Sequence, residues 1–245
     1  MHEQYAHMIC ERREEILARM DAAVRMSGRT LDDVELVAVS KTVGIPEVLA
    51  AIDAGYRTFG ENRPQELMRK LEGLGSIVDL PSVRFDMIGN LQTNKINATL
   101  GRVKLIHSIG SLHLAEAVSS RAARRMEAGE LKAPQPVLIE VNVSGEETKG
   151  GFAPNDLRRH MDQLQNLCGI DIRGLMTMAP RGNKDVARSC FSDLRDLRDE
   201  LAVSSGLALP ELSCGMSEDF EAALVEGSTI VRLGRVVFDP MFEVL

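Results

Sequence analysis

The apolar and polar positions along this 245-residue chain alternate between two periods. Short runs of apolar, often β-branched residues mark buried strands. Between them lie longer stretches with apolar residues three and four apart, the spacing of amphipathic helices. The first 27 residues read as one helix, with Ile9, Ile16, Leu17, Met20 and Val24 on one face and Gly28 placed to end it. A strand over 34–40 comes next, then a helix from Pro46 to Ala54 closed by Gly55. A short strand at 57–60 leads to Glu61-Asn62-Arg63 and a helix that opens at Pro64 and buries Leu67, Leu71 and Leu74. Strand 83–88 leads to Gly89-Asn90-Leu91-Gln92-Thr93-Asn94-Lys95, and strand 103–107 to Ser108 and a helix that Ser111 can cap.

The second half repeats the alternation. Strand 136–143 runs into Ser144-Gly145 and a polar loop. The following helix carries Leu157, Met161, Leu164 and Cys168 and closes at Gly169. Strand 170–176 ends near Met176-Thr177-Met178, ahead of a long helix with Val186, Cys190, Leu194, Leu197 and Leu201 on one side. Strand 209–213 gives way to Ser213-Cys214-Gly215-Met216-Ser217 and a helix with Phe220 and Leu224 that ends at Gly227; the last strand, 229–233, runs into Gly234. A repeated strand-then-helix order implies parallel strands joined by right-handed crossovers. Eight such units close into a barrel. The expected fold is therefore α/β: one (β/α)8 TIM barrel over residues 1–245 with an extra N-terminal packing helix at 1–27. An open doubly wound sheet, which usually has fewer strands, is the alternative.

Composition narrows the function classes. A net charge of −7 and the absence of a basic run with interleaved aromatics argue against nucleic acid. No apolar stretch approaches the ~20 residues of a membrane helix, and the polar first 13 residues do not form a secretory signal. Cys10, Cys168, Cys190 and Cys214 are scattered, as free thiols in a reducing cytoplasm would be, and the five histidines lack metal-site spacing.

In a barrel, functional residues sit where strands end. Those ends here are Lys41, Asn62, Asn90, Ser108, Asn142, Met176, Ser213 with Ser217, and Arg232 with Gly234. Lys41 and Arg232 bring charge to the centre. A lysine held near apolar walls becomes nucleophilic and can form a Schiff base, although a lysine just past a strand is more often a solvated one. Ser217 and Gly234 end neighbouring strands seven and eight, where barrels often bind phosphate. Against that, Ser217 could be a plain helix cap, Arg232 a rim ion pair, and Glu218 and Asp219 would have to point away from a phosphate. A lysine on one side and a phosphate cup on the other suit pyridoxal 5′-phosphate (PLP). An aldolase would need a carboxylate beside Lys41, for which Glu61 is the near candidate.

The chain resembles the pyridoxal phosphate homeostasis protein family, related to the N-terminal barrel of alanine racemase. The matching motifs are Ala38-Val39-Ser40-Lys41-Thr42, Phe59-Gly60-Glu61-Asn62-Arg63, Ile88-Gly89-Asn90-Leu91-Gln92-Thr93-Asn94-Lys95, and Val141-Asn142-Val143-Ser144 with Lys149-Gly150-Gly151. They continue with Gly174-Leu175-Met176-Thr177-Met178, Leu212-Ser213-Cys214-Gly215-Met216-Ser217 and Val231-Arg232-Leu233-Gly234, in order along nearly the whole chain. The resemblance implies an alanine-racemase-like barrel with PLP on Lys41 and Asn62 beside the ring. It also implies Met176 in the pocket wall, phosphate contacts from Ser217, Gly234 and their loops (including Ser213), and Arg232 at the phosphate or the ring nitrogen. Cys214 stands where the family usually has methionine, and Asp239 where glycine is common. Arg235 stands where a Thr or Ser is usual, which removes one hydroxyl.

Two functions follow from the resemblance. One is a PLP carrier that holds the cofactor as a Schiff base on Lys41 and passes it to PLP-dependent apo-enzymes. The other is an amino-acid racemase, which needs bases on both faces of the ring. Racemases take the second from a tyrosine of another domain, and Tyr5 and Tyr56 lie at no strand end here. The carrier is favoured, a monomer is expected, and robust catalysis is not. His107 and His113 are read as a structural and an exposed histidine, and Lys95 as a solvated lysine that could take the cofactor transiently.

Overall fold

The structure is a computed structural model that describes residues 2–242. Helix α1 (His2–Met26) precedes eight strands: β1 (Glu35–Val39), β2 (Thr58–Glu61), β3 (Arg84–Met87), β4 (Ile106–Ile109), β5 (Gln135–Glu140), β6 (Ile170–Met176), β7 (Glu211–Ser213) and β8 (Ile230–Leu233). All pair in parallel and close in sequence order, with β8 returning to β1. The helices between and after them are α2 (Ile45–Asp53), α3 (Pro64–Gly75), α4 (Ile96–Thr99), α5 (Leu112–Glu127), α6 (Pro154–Gln165), α7 (Lys184–Ser205), α8 (Phe220–Val225) and α9 (Arg235–Phe238). The expected barrel is thus observed.

Strand pleating sorts each strand's residues between two environments. Outward residues such as Ala38, Phe59, Phe85, Val231 and Leu233 pack under the helices, with the Phe59 and Phe85 rings 5.5 Å apart. Inward residues form a smaller apolar plug of Val37, Leu105, Leu138, Met176 and Ile230. Toward the strands' N-terminal ends, Arg84 pairs with Glu35 at 2.5 Å and Thr58 donates to the same carboxylate. Toward their C-terminal ends the interior turns polar, and there the functional residues collect.

Helix α1 ties the start of the chain to its end. Ile9, Ile16, Met20 and Val24 are buried, Tyr5 donates to Phe238 O at 3.0 Å, and Arg19 holds Glu221 at 2.8 and 2.9 Å. Strand four lies later than expected, at 106–109: the regular register with β3 begins at Ile106, although the apolar run begins at Val103. Strand five stops at Glu140, and Asn142 falls in the following loop, where it donates to Glu146 O and Lys149 O. Val186 and Cys168 are exposed, the former in the first turn of α7 and the latter beyond the end of α6.

Candidate functional site

At the C-terminal mouth of the barrel lies a cavity of about 640 Å³. It gathers Lys41, Asn62, Ser217, Arg232 and Gly234, together with Asn90 and Ser108. Met176 does not form its wall. That side chain sits in the apolar plug below the cavity, and Met178, two residues on, takes the place at the cavity. Ser213 also lies beneath the cavity rather than on it. Lys95 and both tyrosines lie outside the lining.

Lys41 is exposed at the mouth, and the residue before it is braced from outside the barrel wall. Buried Lys70 of α3 donates to Ser40 O at 2.6 Å and pairs with buried Glu61, whose Oε1 also accepts from Ser40 Oγ at 2.7 Å. Glu61 is therefore committed to this brace and is not a carboxylate for chemistry at Lys41. Next to the brace, β3 ends against Asn62: a Cβ on Gly89 would lie 2.4 Å from Asn62 O, so only glycine allows the approach.

Arg232 is held from inside the barrel. Its guanidinium donates to Thr177 O at 3.0 Å and to Ser213 Oγ. Ser213 Oγ lies 2.9 Å from His107 Nδ1, and His107 Nε2 lies 3.2 Å from Asp86 Oδ2. A guanidinium can only donate and a carboxylate can only accept, so with one proton on the imidazole the chain has one direction: Arg232 gives to Ser213, Ser213 to His107 Nδ1, and His107 Nε2–H to Asp86. Burial lowers the proton affinity of His107, which the neighbouring Asp86 opposes, and a neutral imidazole fits that direction. His107 is thus structural and His113 exposed, as expected.

The loops after β7 and β8 meet. Ser217 does not cap α8. Its Oγ accepts from Val236 N at 3.2 Å, so its own proton remains to be given to a ligand. Asp219 turns back to accept from Met216 N at 2.6 Å, and Glu218 pairs with Arg235 at 2.6 Å. The first of these two carboxylates caps the loop and the second is balanced by the arginine, which answers the charge concern raised by their positions. Cys214 lies fully buried behind the cup, and burial pushes its thiol up to about 11.

Sequence reasoning missed Glu140. It ends β5, lines the cavity and is buried, and desolvation raises its carboxyl above the ordinary range while Arg232 opposes the shift. The signal was an acid inside the apolar run Pro136-Val137-Leu138-Ile139-Glu140-Val141. Chemically, the cavity offers an amine at one side, hydroxyl and backbone donors at another, a buried guanidinium beneath and a titratable carboxylate opposite the amine.

These features define a class, and comparison with known proteins agrees: residues 15–239 match the family model of the alanine racemase N-terminal domain. A pyridoxal phosphate homeostasis protein of Aquifex aeolicus is 42% identical over 94% of this chain and 96% of its own length. The structure of PipY of Synechococcus elongatus PCC7942 with PLP bound matches at a TM-score of 0.79 and 33% identity, covering 94% of this chain and 99% of that one. Alanine racemase of Clostridium difficile 630 shares the fold alone, with a TM-score of 0.66 at 13% identity over 94% of this chain and 59% of that one. The chain belongs to the pyridoxal phosphate homeostasis protein family.

Proposed function

We propose that the protein is a PLP carrier that holds the cofactor as a Schiff base on Lys41 and releases it to PLP-dependent apo-enzymes. One observation carries this reading: a single cavity joins an exposed lysine to a two-loop cup whose serine hydroxyl has its proton to give. The residues present fit the group. Lys41 stands for the aldehyde, Ser217 and the loop at Gly234 for the phosphate, Asn62 for the ring edge and Arg232 for the inner end of the ring. PLP supplies an aldehyde that condenses reversibly with amines and a ring that withdraws electrons. The protein's part is to bind and orient it. PipY with PLP bound, at 33% identity, supports the ligand assignment, and the names of the relatives support the homeostasis role.

Titration with PLP tests the reading. The wild type is expected to develop a visible band that borohydride abolishes, and Lys41→Ala is expected to lack it. A wild type that stays colourless under excess PLP contradicts the proposal. Delivery is tested by restoring a PLP-dependent apo-enzyme from loaded protein in the presence of a scavenger of free aldehyde.

One observation favours a second reading, a PLP-dependent amino-acid racemase. Glu140 places a titratable group in the cavity, four strands from Lys41 in either direction around the barrel. Incorporation of deuterium at Cα of alanine, dependent on both Lys41 and Glu140, would support it.

A further inference from the structure

Glu140 is 9% exposed, and what remains open faces the cavity. Its carboxylate has no hydrogen-bond donor among the described residues; burial and the charge of Arg232 are what act on it. Its oxygens face two glycines: a Cβ on Gly110 would lie 3.4 Å from Oε2, and one on Gly150 3.7 Å from Oε1. Side chains that could cover the carboxylate are absent from both positions, so it is open to a ligand.

The other charges of the cavity do not complete it. Arg235 is paired with Glu218, and the guanidinium of Arg232 is directed to Ser213 and Thr177 O. Arg181 also lines the cavity, but it is exposed on the loop after β6 and forms no ion pair or hydrogen bond with Glu140 among the described residues. Under the proposed function, Lys41 is joined to the cofactor. The cofactor so joined brings a phosphate and a phenolic oxygen, which repel a carboxylate, and the inner end of its ring is the part already given to Arg232. A buried carboxylate left without a partner is costly, so the complementary ligand is a cation that arrives from solvent.

Resting on the carrier reading, we propose that Glu140 is the receiving site for a primary ammonium group, which releases PLP from Lys41 by amine exchange. The ammonium gives one proton to Glu140 and becomes a free amine. Its lone pair attacks the carbon joined to Lys41 Nζ, and a new C–N bond forms. The incoming nitrogen passes its two remaining protons to Nζ and forms its second bond to the carbon as the carbon–Nζ bond breaks, and Lys41 leaves as an amine that then recovers the proton held by Glu140. Nothing is oxidised or reduced, and the cofactor departs on the incoming nitrogen. The raised proton affinity that burial gives Glu140 suits a group that takes up and returns a proton. Free amino acids and the lysine side chain of a recipient enzyme both carry the required group.

The test has two parts. In cofactor-free protein, binding of n-butylammonium is followed by ligand-observed NMR. Saturable binding by the wild type and its loss in Glu140→Gln are expected; absence of binding to the wild type, or equal binding by both proteins, overturns the proposal. In PLP-loaded protein, decay of the bound visible band is followed against n-butylamine, a lysine mimic, and against glycine. The wild-type rate is expected to saturate with amine and to exceed that of Glu140→Gln by about 100-fold. Glu140→Asp, which keeps the charge, is expected to retain part of the saturable phase. Faster release with glycine than with n-butylamine identifies free amino acids as the source, and the reverse identifies a lysine. Equal rates in wild type and Glu140→Gln overturn the proposal. So does a shift of the band in Glu140→Gln before any amine is added, which would pair Glu140 with the ring nitrogen. A wild type that never forms the band defeats the carrier reading instead, and the NMR result still decides the ammonium site.

Discussion

Two buried polar networks flank the wall of the barrel, one outside and one inside, and each leads to a cation of the same cavity. The outer one, Glu61–Lys70–Ser40, reaches Lys41 through the backbone. It fixes the residue before Lys41 and leaves the side chain of Lys41 itself exposed. The inner one, Asp86–His107–Ser213, ends on the guanidinium of Arg232 and fixes the charged head directly. Under the carrier reading proposed above, the difference matches two tasks: the group that forms and breaks a bond is anchored at its root, and the group that holds its place against the ring is anchored at its tip.

The comparison breaks most severely at Lys70. Lys70→Ala strands the buried Glu61 charge and is expected to cost about 3–5 kcal/mol of stability in urea unfolding. Lys70→Met combined with Glu61→Leu removes both charges and is expected to recover most of that loss. A double variant as unstable as the single one would show that the charge pair is not what Lys70 contributes.

The inner network should give a smaller loss with a different signature. Ser213→Ala leaves an Arg232 donor and His107 Nδ1 unpaired, at about 1–3 kcal/mol. Because Lys41 is untouched, the visible band is expected to remain while PLP binds about tenfold more weakly, a change of 1.4 kcal/mol. Unchanged affinity would detach the inner network from the cofactor.

The pH response sharpens the contrast further. His107 takes up a proton less readily in the fold than in the unfolded chain, mainly because it is buried. The unfolded state therefore binds the extra proton first, and stability falls as pH drops below about 6.5. Glu140 has the opposite effect: its folded carboxyl holds the proton more tightly, so its contribution to stability declines as pH rises above the ordinary carboxylate range. His107→Gln is expected to flatten the first slope and Glu140→Gln the second, both read from thermal unfolding across pH 4–9.

The smallest effect is expected at the rim. The Arg235–Glu218 pair is half-exposed on both sides, so Arg235→Ala should change stability by about 0–1 kcal/mol. A larger loss would give that arginine a structural weight that the two networks do not assign to it.

Much of this was legible in the sequence because it rests on local signals. The eight apolar runs, the glycines that close helices and the polar residues at strand ends together yielded the barrel and five residues of one cavity: Lys41, Asn62, Ser217, Arg232 and Gly234. What was missed depends on the depth a residue takes in the barrel. Met176 and Met178 lie two residues apart, and the resemblance pointed to the one that sits in the apolar plug below the cavity. Strand four shifted because the regular register with β3 sets in only at Ile106, although Lys104 N already donates to Phe85 O and Met87 N to Leu105 O, each at 2.9 Å. Asp86, His107 and Ser213 lie on three strands and Lys70 pairs with an acid on another element, so only closure of the barrel brings these partners together. Glu140 could have been found: a carboxylate in an otherwise apolar strand has to be paired, neutral or used.

Borohydride reduction of PLP-loaded protein followed by peptide mapping tests the central claim most directly. The account expects one pyridoxyl-phosphate adduct, on the peptide that contains Lys41, and none in Lys41→Ala. An adduct centred on another lysine, Lys95 or Lys149 for example, or equal labelling of the wild type and Lys41→Ala, would contradict it.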